Sequence, residues 1–508
     1  MQANNIQVNN TTLTGNTGTE VMVQFDLSWE NSWRGSGVNN WDAAWVFVKY
    51  RLPGDGGFDH VRLEATGHVA PGGSTLDLGL LAPGVAYDAT TNPVVGVFIR
   101  RDADGTGTFS ASGVQLLWNY GALGITYADI AEVRVYAIEM VYVNAGAFQL
   151  GTGGAETNAF HKSTTTEPFP ITSENTLSVS VNQNALWADG EIVTGTLSAA
   201  FPKGFAASYM MKYEMSQQQY VDFLNSLTRP QQVAHVGTDL SIGTSTVNEP
   251  YVMSVTAALS GRNSIRCDAT IDPNGSITFY CDANGNGISG EADDGQWVAC
   301  GNLTLSDVAA YLDWSGLRFM TELEYEKACR GPLPPLPNEF PWRAPSVTGG
   351  PFTLDNAFTT SEGIATGYST TVGNAMYGSS SIGASPVRVG AFAAHPSNTG
   401  RISSGAGYYG VMELAGNMYE LTISAGNTTG QAYTGTHGDG ELTEAGAHDA
   451  VSWPAFTDAD QMGLRGGAYT TQAADLGRLR VSDRALGATA NLVTRISGFG
   501  GRGVRTAP

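Results

Sequence analysis

Residues 317–331 read Leu317-Arg318-Phe319-Met320-Thr321-Glu322-Leu323-Glu324-Tyr325-Glu326-Lys327-Ala328-Cys329-Arg330-Gly331. Thr321 and Glu324 stand at the first and fourth positions of a capping box, in which the threonine hydroxyl and the glutamate carboxylate each satisfy a backbone N–H that the first helical turn leaves bare. The spacing predicts a helix over Leu323–Cys329, and Gly331 suits the residue just past its end, where a left-handed backbone closes the last turn. Working outward, Ser216 and Gln219 make a second box, and Tyr220, Phe223, Leu224 and Leu227 then fall on one helical face. Ser306 predicts the start of a third helix, Asp307–Trp314. From about residue 332 onward the chain is rich in Gly, Ser and Thr without helical periodicity, so this half is expected to be ordered loops around a small sheet.

The first 138 residues alternate apolar and polar side chains instead. Val21, Val23, Phe25 and Leu27 do so, and Trp45–Leu52, Val94–Ile99 and Glu132–Ile138 read likewise, separated by turns such as Pro53-Gly54-Asp55-Gly56-Gly57. The expectation is an all-β sandwich-like domain over 1–138, followed by a second domain over 139–508 with an insertion at about 229–299. Trp29, Trp33, Trp41 and Trp45 are core residues or, on the other reading, a carbohydrate platform.

Charged residues are only 14% of the 508, so Gly, Ser, Thr and Asn supply the polarity, as in loop-rich extracellular proteins. A net charge of −21 argues against the phosphate-neutralising surface that nucleic acid requires. No run of apolar residues is long enough for a transmembrane segment, and Met1–Asn10 lacks the pattern of a signal peptide. An extracellular, cell-surface or virion location is therefore expected, by a signal already removed or by another export route. Cys267 and Cys281 flank a predicted hairpin with its turn at Asp272-Pro273-Asn274-Gly275. Its register would set the two cysteines opposite each other as a disulfide, leaving Cys300 and Cys329 as a second pair. Such bridges imply an oxidising compartment.

The seven histidines, His60, His68, His161, His235, His395, His437 and His448, show no metal-ligand spacing; His437 near Asp439 and Glu441 is the one local cluster. No nucleophile elbow or phosphate loop occurs. Asp282-Ala283-Asn284-Gly285-Asn286-Gly287, with Asp293 eleven residues after Asp282, has the oxygen spacing of a calcium loop, with Asp282, Asn284, Asn286 and Asp293 as candidate ligands. An ordinary Asn-Gly turn is the alternative.

The order of segments then points further. Met140-Val141-Tyr142-Val143 with Gly146–Gly151, Tyr213-Glu214-Met215-Ser216, the 317–331 stretch, Phe340-Pro341-Trp342, Gly410-Val411-Met412-Glu413-Leu414-Ala415-Gly416-Asn417-Met418-Tyr419-Glu420, Leu464-Arg465-Gly466-Gly467-Ala468-Tyr469 and Gly498-Phe499 to Val504-Arg505 succeed one another. Together they resemble the formylglycine-generating enzyme, or sulfatase-modifying factor, family. The resemblance implies an α+β, C-type-lectin-like fold for the second domain. It also implies two copper-binding cysteines in the oxidases of the group, but places Leu476 and Val481 at those positions, so copper is not expected. Two structural calcium sites are implied, one at Asn356, Ala357, Asn374 and Met376, the other at Glu413, Gly416, Met418 and Glu420. In lectin-fold binders the recognition surface lies in the C-terminal loops, here Tyr469, Thr470, Thr471, Asp475, Arg478, Arg480, Ser482, Asp483 and Arg484, with buried ion pairs as the other role for Arg480 and Arg484.

These readings favour a non-catalytic surface or secreted protein that binds a protein or carbohydrate ligand. Its N-terminal strands would serve for attachment or assembly, and its C-terminal loops would be those diversified by a retroelement. A divergent oxidoreductase of the same fold and a structural component of a filament or virion are the alternatives.

Overall fold

The computed structural model describes residues 5–508 apart from 38, 379–381, 383, 455–461 and 489–493. It is a mixed α/β structure, mostly strands with few helices. In the strand Val21–Gly35, Val21, Val23, Phe25, Leu27 and Trp29 are buried and the residues between them partly exposed, the period of two that a one-sided strand requires. This strand pairs antiparallel with Gln7–Thr14 and Gly105–Trp118. Its inner face shares an apolar cluster with Ala44, Val46, Val48, Val97 and Ile99 of the strands Asn40–Arg51 and Val94–Arg101.

Asn40–Arg51 is buried on both faces, so the alternation expected over Trp45–Leu52 gives way to an unbroken apolar run at Ala43–Val48. Ala43, Trp45 and Phe47 point the other way, into a second and larger cluster with Trp314, Leu317 and Phe319. Trp45 Nε1 donates to the Ser315 carbonyl at 2.7 Å, and the Arg505 guanidinium lies 4.5 Å from its ring centre. One strand thus joins the N-terminal strands to the rest of the molecule.

The strand Glu132–Val143 pairs with Asn40–Arg51 along its length and, at its C-terminal end, with Ser208–Met211. The expected boundary between residues 138 and 139 falls inside this strand, because its backbone is shared by both ladders. The sheet continues through Gly503–Thr506, Arg318–Thr321, Glu420–Ile423 and Met462–Arg465, so the last strand of the chain is inserted in the middle.

The helices start where capping chemistry directs. Ser216 and Gln219 cap Gln217–Leu224 reciprocally, and Thr321 and Glu324 cap Glu322–Arg330. The third helix begins at Leu305, ahead of the expected start, because Thr304 and Asp307 form its capping box. Gly331, at φ 65°, closes Glu322–Arg330; a Cβ there would lie 2.3 Å from the Tyr408 ring.

The disulfide expectation is corrected. The hairpin register sets Ile265 opposite Cys281 and Arg266 opposite Tyr280, and all four cysteines are buried free thiols. Nearer the turn the second arm is held by the helix Arg229–Ala234 and by Asn225, just past the helix Gln217–Leu224: Gln232 Oε1 accepts the Ile277 N–H and Asn225 Oδ1 accepts the Phe279 N–H, both at 2.8 Å. Arg229 donates to the carbonyls of Asp272 and Gly275, so the turn is drawn toward the helices. The tryptophans also divide: Trp29 and Trp45 are core, whereas Trp41 stacks on Tyr142 with ring centroids 4.0 Å apart.

Candidate functional site

The C-terminal segment expected to carry recognition is largely interior. Tyr469, Thr471, Ser482, Asp483 and Arg484 are buried. Thr471 Oγ1 donates to the Tyr419 hydroxyl, Ser482 Oγ donates to Glu326 at 3.0 Å, and Arg484 Nε donates to Glu322 at 2.7 Å. The reason is electrostatic: the acidic face of the helix Glu322–Arg330 needs cations, and the C-terminal loop supplies them. Thr470, Asp475, Arg478 and Arg480 keep partial exposure. Asp475 and Arg478 pair at 3.3 Å, and Arg480 donates to Asn338 Oδ1 at 2.9 Å. Leu476 packs against the cluster of Phe340, Trp342 and Leu479, and Val481 is buried with Tyr325, Cys329 and Leu414.

The segment Gly410–Thr422 carries a buried cluster of glutamates. Glu420 Oε1 accepts Arg502 Nε at 2.7 Å, and the same guanidinium donates to the carbonyls of Met211 and Met412. Glu413 Oε1 accepts the Gly390 N–H at 2.7 Å, while its Oε2 is buried without a partner. Glu214 joins them, its Oε1 accepting the Met418 N–H at 2.7 Å and its Oε2 accepting Asn417 Nδ2. Burial pushes Glu413 up to about 7, against the pull of Arg502. Glu214 rises well above the carboxylate range through burial and then through repulsion from Glu413 and Glu420. Glu413 has φ 51°, a left-handed backbone that a glutamate adopts only where its surroundings impose it. Gly416 has φ 80°, and a Cβ there would meet the Met376 carbonyl oxygen at 2.5 Å. Glu214 and Arg502 belong to this cluster although no local spacing marks them, since each comes from a segment distant in sequence from Gly410–Thr422.

The other expected metal residues divide. Asn374 is buried with its amide engaged: Oδ1 accepts the Ser369 N–H at 2.8 Å, and Nδ2 donates to the carbonyls of Ser369 and Ser403 at 2.7 Å. Asn356 and Ala357 are exposed, whereas the Met376 carbonyl accepts the Asn417 N–H at 2.8 Å. Asp282 is buried and serves as the anchor of its loop. Oδ1 accepts the N–H groups of Gly285 and Asn286, and Oδ2 accepts Gly287 N–H and Arg266. His437 hydrogen-bonds the Leu81 carbonyl through Nδ1 and accepts the Thr506 N–H through Nε2, so neither nitrogen is turned to Asp439 or Glu441.

Between the N-terminal strands and the helices lies a cavity of about 400 Å³, lined by Tyr136, Glu139, Glu214, Asp222, Trp297 and Trp314 among others. Glu139 Oε2 accepts Lys212 Nζ at 2.9 Å, and its Oε1 is buried without a partner. Asp222 accepts Gln218 Nε2 at 2.8 Å, and burial pushes its carboxyl up to about 6. Aromatic walls with a few carboxyls of raised affinity for protons are the chemistry of a ligand cavity.

The sequence model of one protein family, described as the sulfatase-modifying factor enzyme 1-like domain, matches residues 126–505. No curated protein matches the chain.

Proposed function

Because the chain belongs to the sulfatase-modifying factor enzyme 1-like domain family, we propose that it uses that scaffold, in a C-type-lectin-like form, to bind a protein or carbohydrate ligand without catalysis. The carrying observation is the packing of Leu476 and Val481: apolar side chains closed into hydrophobic clusters stand where the resemblance puts the copper thiolates. The burial of Tyr469, Thr471, Ser482, Asp483 and Arg484 moves the ligand reading from the C-terminal loops to the cavity between Tyr136, Asp222 and Trp297. The N-terminal strands serve attachment or assembly, and the protein works outside the cell, on its surface or on a virion. The low charged fraction supports that location.

The residues at Gly410–Thr422 fit a hard cation. Glu413 carries a buried unpartnered oxygen, and of the three glutamates that meet, Glu420 alone pairs with an arginine, Arg502. Glu413 and Glu420, with the carbonyls of Gly416 and Met418, would hold calcium, which would supply charge compensation and tie the segment to the core. Asn356, Ala357, Asn374 and Met376 fit less well, since the Asn374 amide is already engaged.

Copper loading tests the reading. The purified chain is incubated with Cu(I), desalted and assayed for bound copper and for oxygen consumption with a cysteine-containing peptide. Neither is expected. One copper per chain together with oxygen consumption would establish the oxidase instead.

A further inference from the structure

Downstream of Asp282 the loop folds back so that carboxylate oxygens of Glu291, Asp293 and Asp294 all lie within 4.8 Å of one another. Asp294 is completely buried; its Oδ2 accepts the Glu291 N–H at 2.7 Å, while its Oδ1 has no partner. Asp294 is thus a carboxylate withdrawn from water and only half satisfied, beside two others. Asn284 Nδ2 donates to Asp293 Oδ1 at 3.2 Å and to Glu291 Oε2 at 3.3 Å, and Asn286 Nδ2 also donates to Glu291 Oε2. The amide hydrogens thus offset the only like-charge concentration in this loop. Arg266, the nearest cation among these contacts, is spent on Asp282.

We propose that the loop Asp282–Asp294 is a calcium site whose ligands are the carboxylates of Glu291, Asp293 and Asp294. Asp282, the residue from which the spacing was counted, is the scaffold of the loop and not a ligand. An all-oxygen set of three carboxylates suits a hard divalent cation and offers nothing to a soft one. Three carboxylates held this close repel one another, and an ion between them would relieve that repulsion. Asp313, Asp439 and Asp449 also converge, but there both Asp313 oxygens already accept backbone N–H groups of the other two residues. The site at Asp294 is independent of the one at Glu413 and Glu420.

Calorimetric titration of calcium into the full chain tests it, with Asp294→Asn, Asp293→Asn, Glu291→Gln and Glu413→Gln as variants. One bound ion is expected to weaken about tenfold or more in each of the first three, and to persist in Glu413→Gln. Should Asp294→Asn fail to fold, the more exposed Asp293 and Glu291 variants decide. The proposal is overturned by a wild-type chain that binds no calcium, or by unchanged ion number and affinity in the Asp293→Asn/Glu291→Gln double variant. Loss confined to Glu413→Gln would overturn it while leaving the Gly410–Thr422 site standing.

Discussion

Glu322 and Arg484, 162 residues apart, meet at 2.7 Å with neither side chain exposed. Arg465 Nη1 reaches the same carboxylate at 3.0 Å and crosses to Glu326 at 2.9 Å through Nη2. Arg330 then joins Glu326 to Glu339. Three glutamates and three arginines form one buried chain of alternating charge, with Ser482 bridging Glu326 and Arg330. It holds the C-terminal loop against the helix Glu322–Arg330.

Removing one partner of such a network leaves an uncompensated buried charge. Glu322→Gln should cost about 3–5 kcal/mol of unfolding free energy in a denaturant titration. Glu322→Gln/Arg484→Met should cost less than the two single changes added together. Strict additivity would mean that the contact carries no coupling.

For the Gly410–Thr422 cluster, chelation should lower the melting temperature, and calcium at about a hundred times its dissociation constant should add about 2.7 kcal/mol. Glu413→Gln should abolish that increment at little other cost, since the changed oxygen has no partner. Glu420→Ala should destabilise the protein with or without calcium, because it also strands Arg502. A wild-type melting curve indifferent to chelation would rule the ion out.

Asp222 gives the pH dependence a sign. Its folded pKa of about 6 lies above the ordinary 3.8, so the folded state holds the proton more tightly and the wild type loses stability as pH rises between those values. Asp222→Asn should therefore be more stable than wild type at pH 7, by about 1–2 kcal/mol after allowance for solvent screening at a half-buried site. The two proteins should converge below about pH 4. A constant difference across the range would show that desolvation of the carboxylate is not the cause.

The thiols give a direct chemical readout. A maleimide without reductant should leave the native protein unlabelled and should modify Cys267, Cys281, Cys300 and Cys329 once it is unfolded, as their burial requires. Labelling restricted to Cys300 and Cys329 would restore the Cys267–Cys281 bridge.

The sequence by itself determined what is local. The capping boxes at Ser216 and Thr321 placed two helices, because the side chains that satisfy the first turn lie three residues apart in the chain. Alternation through Val21–Leu27 placed a strand and its buried face. The order of short motifs was enough for the family, whose match covers residues 126–505. Contacts between segments far apart in the chain could not be read from it. The Cys267 register failed because Gln232 and Asn225, distant in sequence, take the hydrogen bonds that the hairpin would have made. Arg484 reads equally as a recognition residue or a buried ion pair, and the buried carboxylate of Glu322 takes it; Ser482, expected at the surface, is buried against Glu326. Asp282 has the spacing of a ligand, yet loop N–H groups and Arg266 consume its oxygens and leave Asp294 as the unsatisfied one. Spacing fixes which groups can meet along one element; which of them remain free is set by neighbours that arrive from elsewhere in the chain.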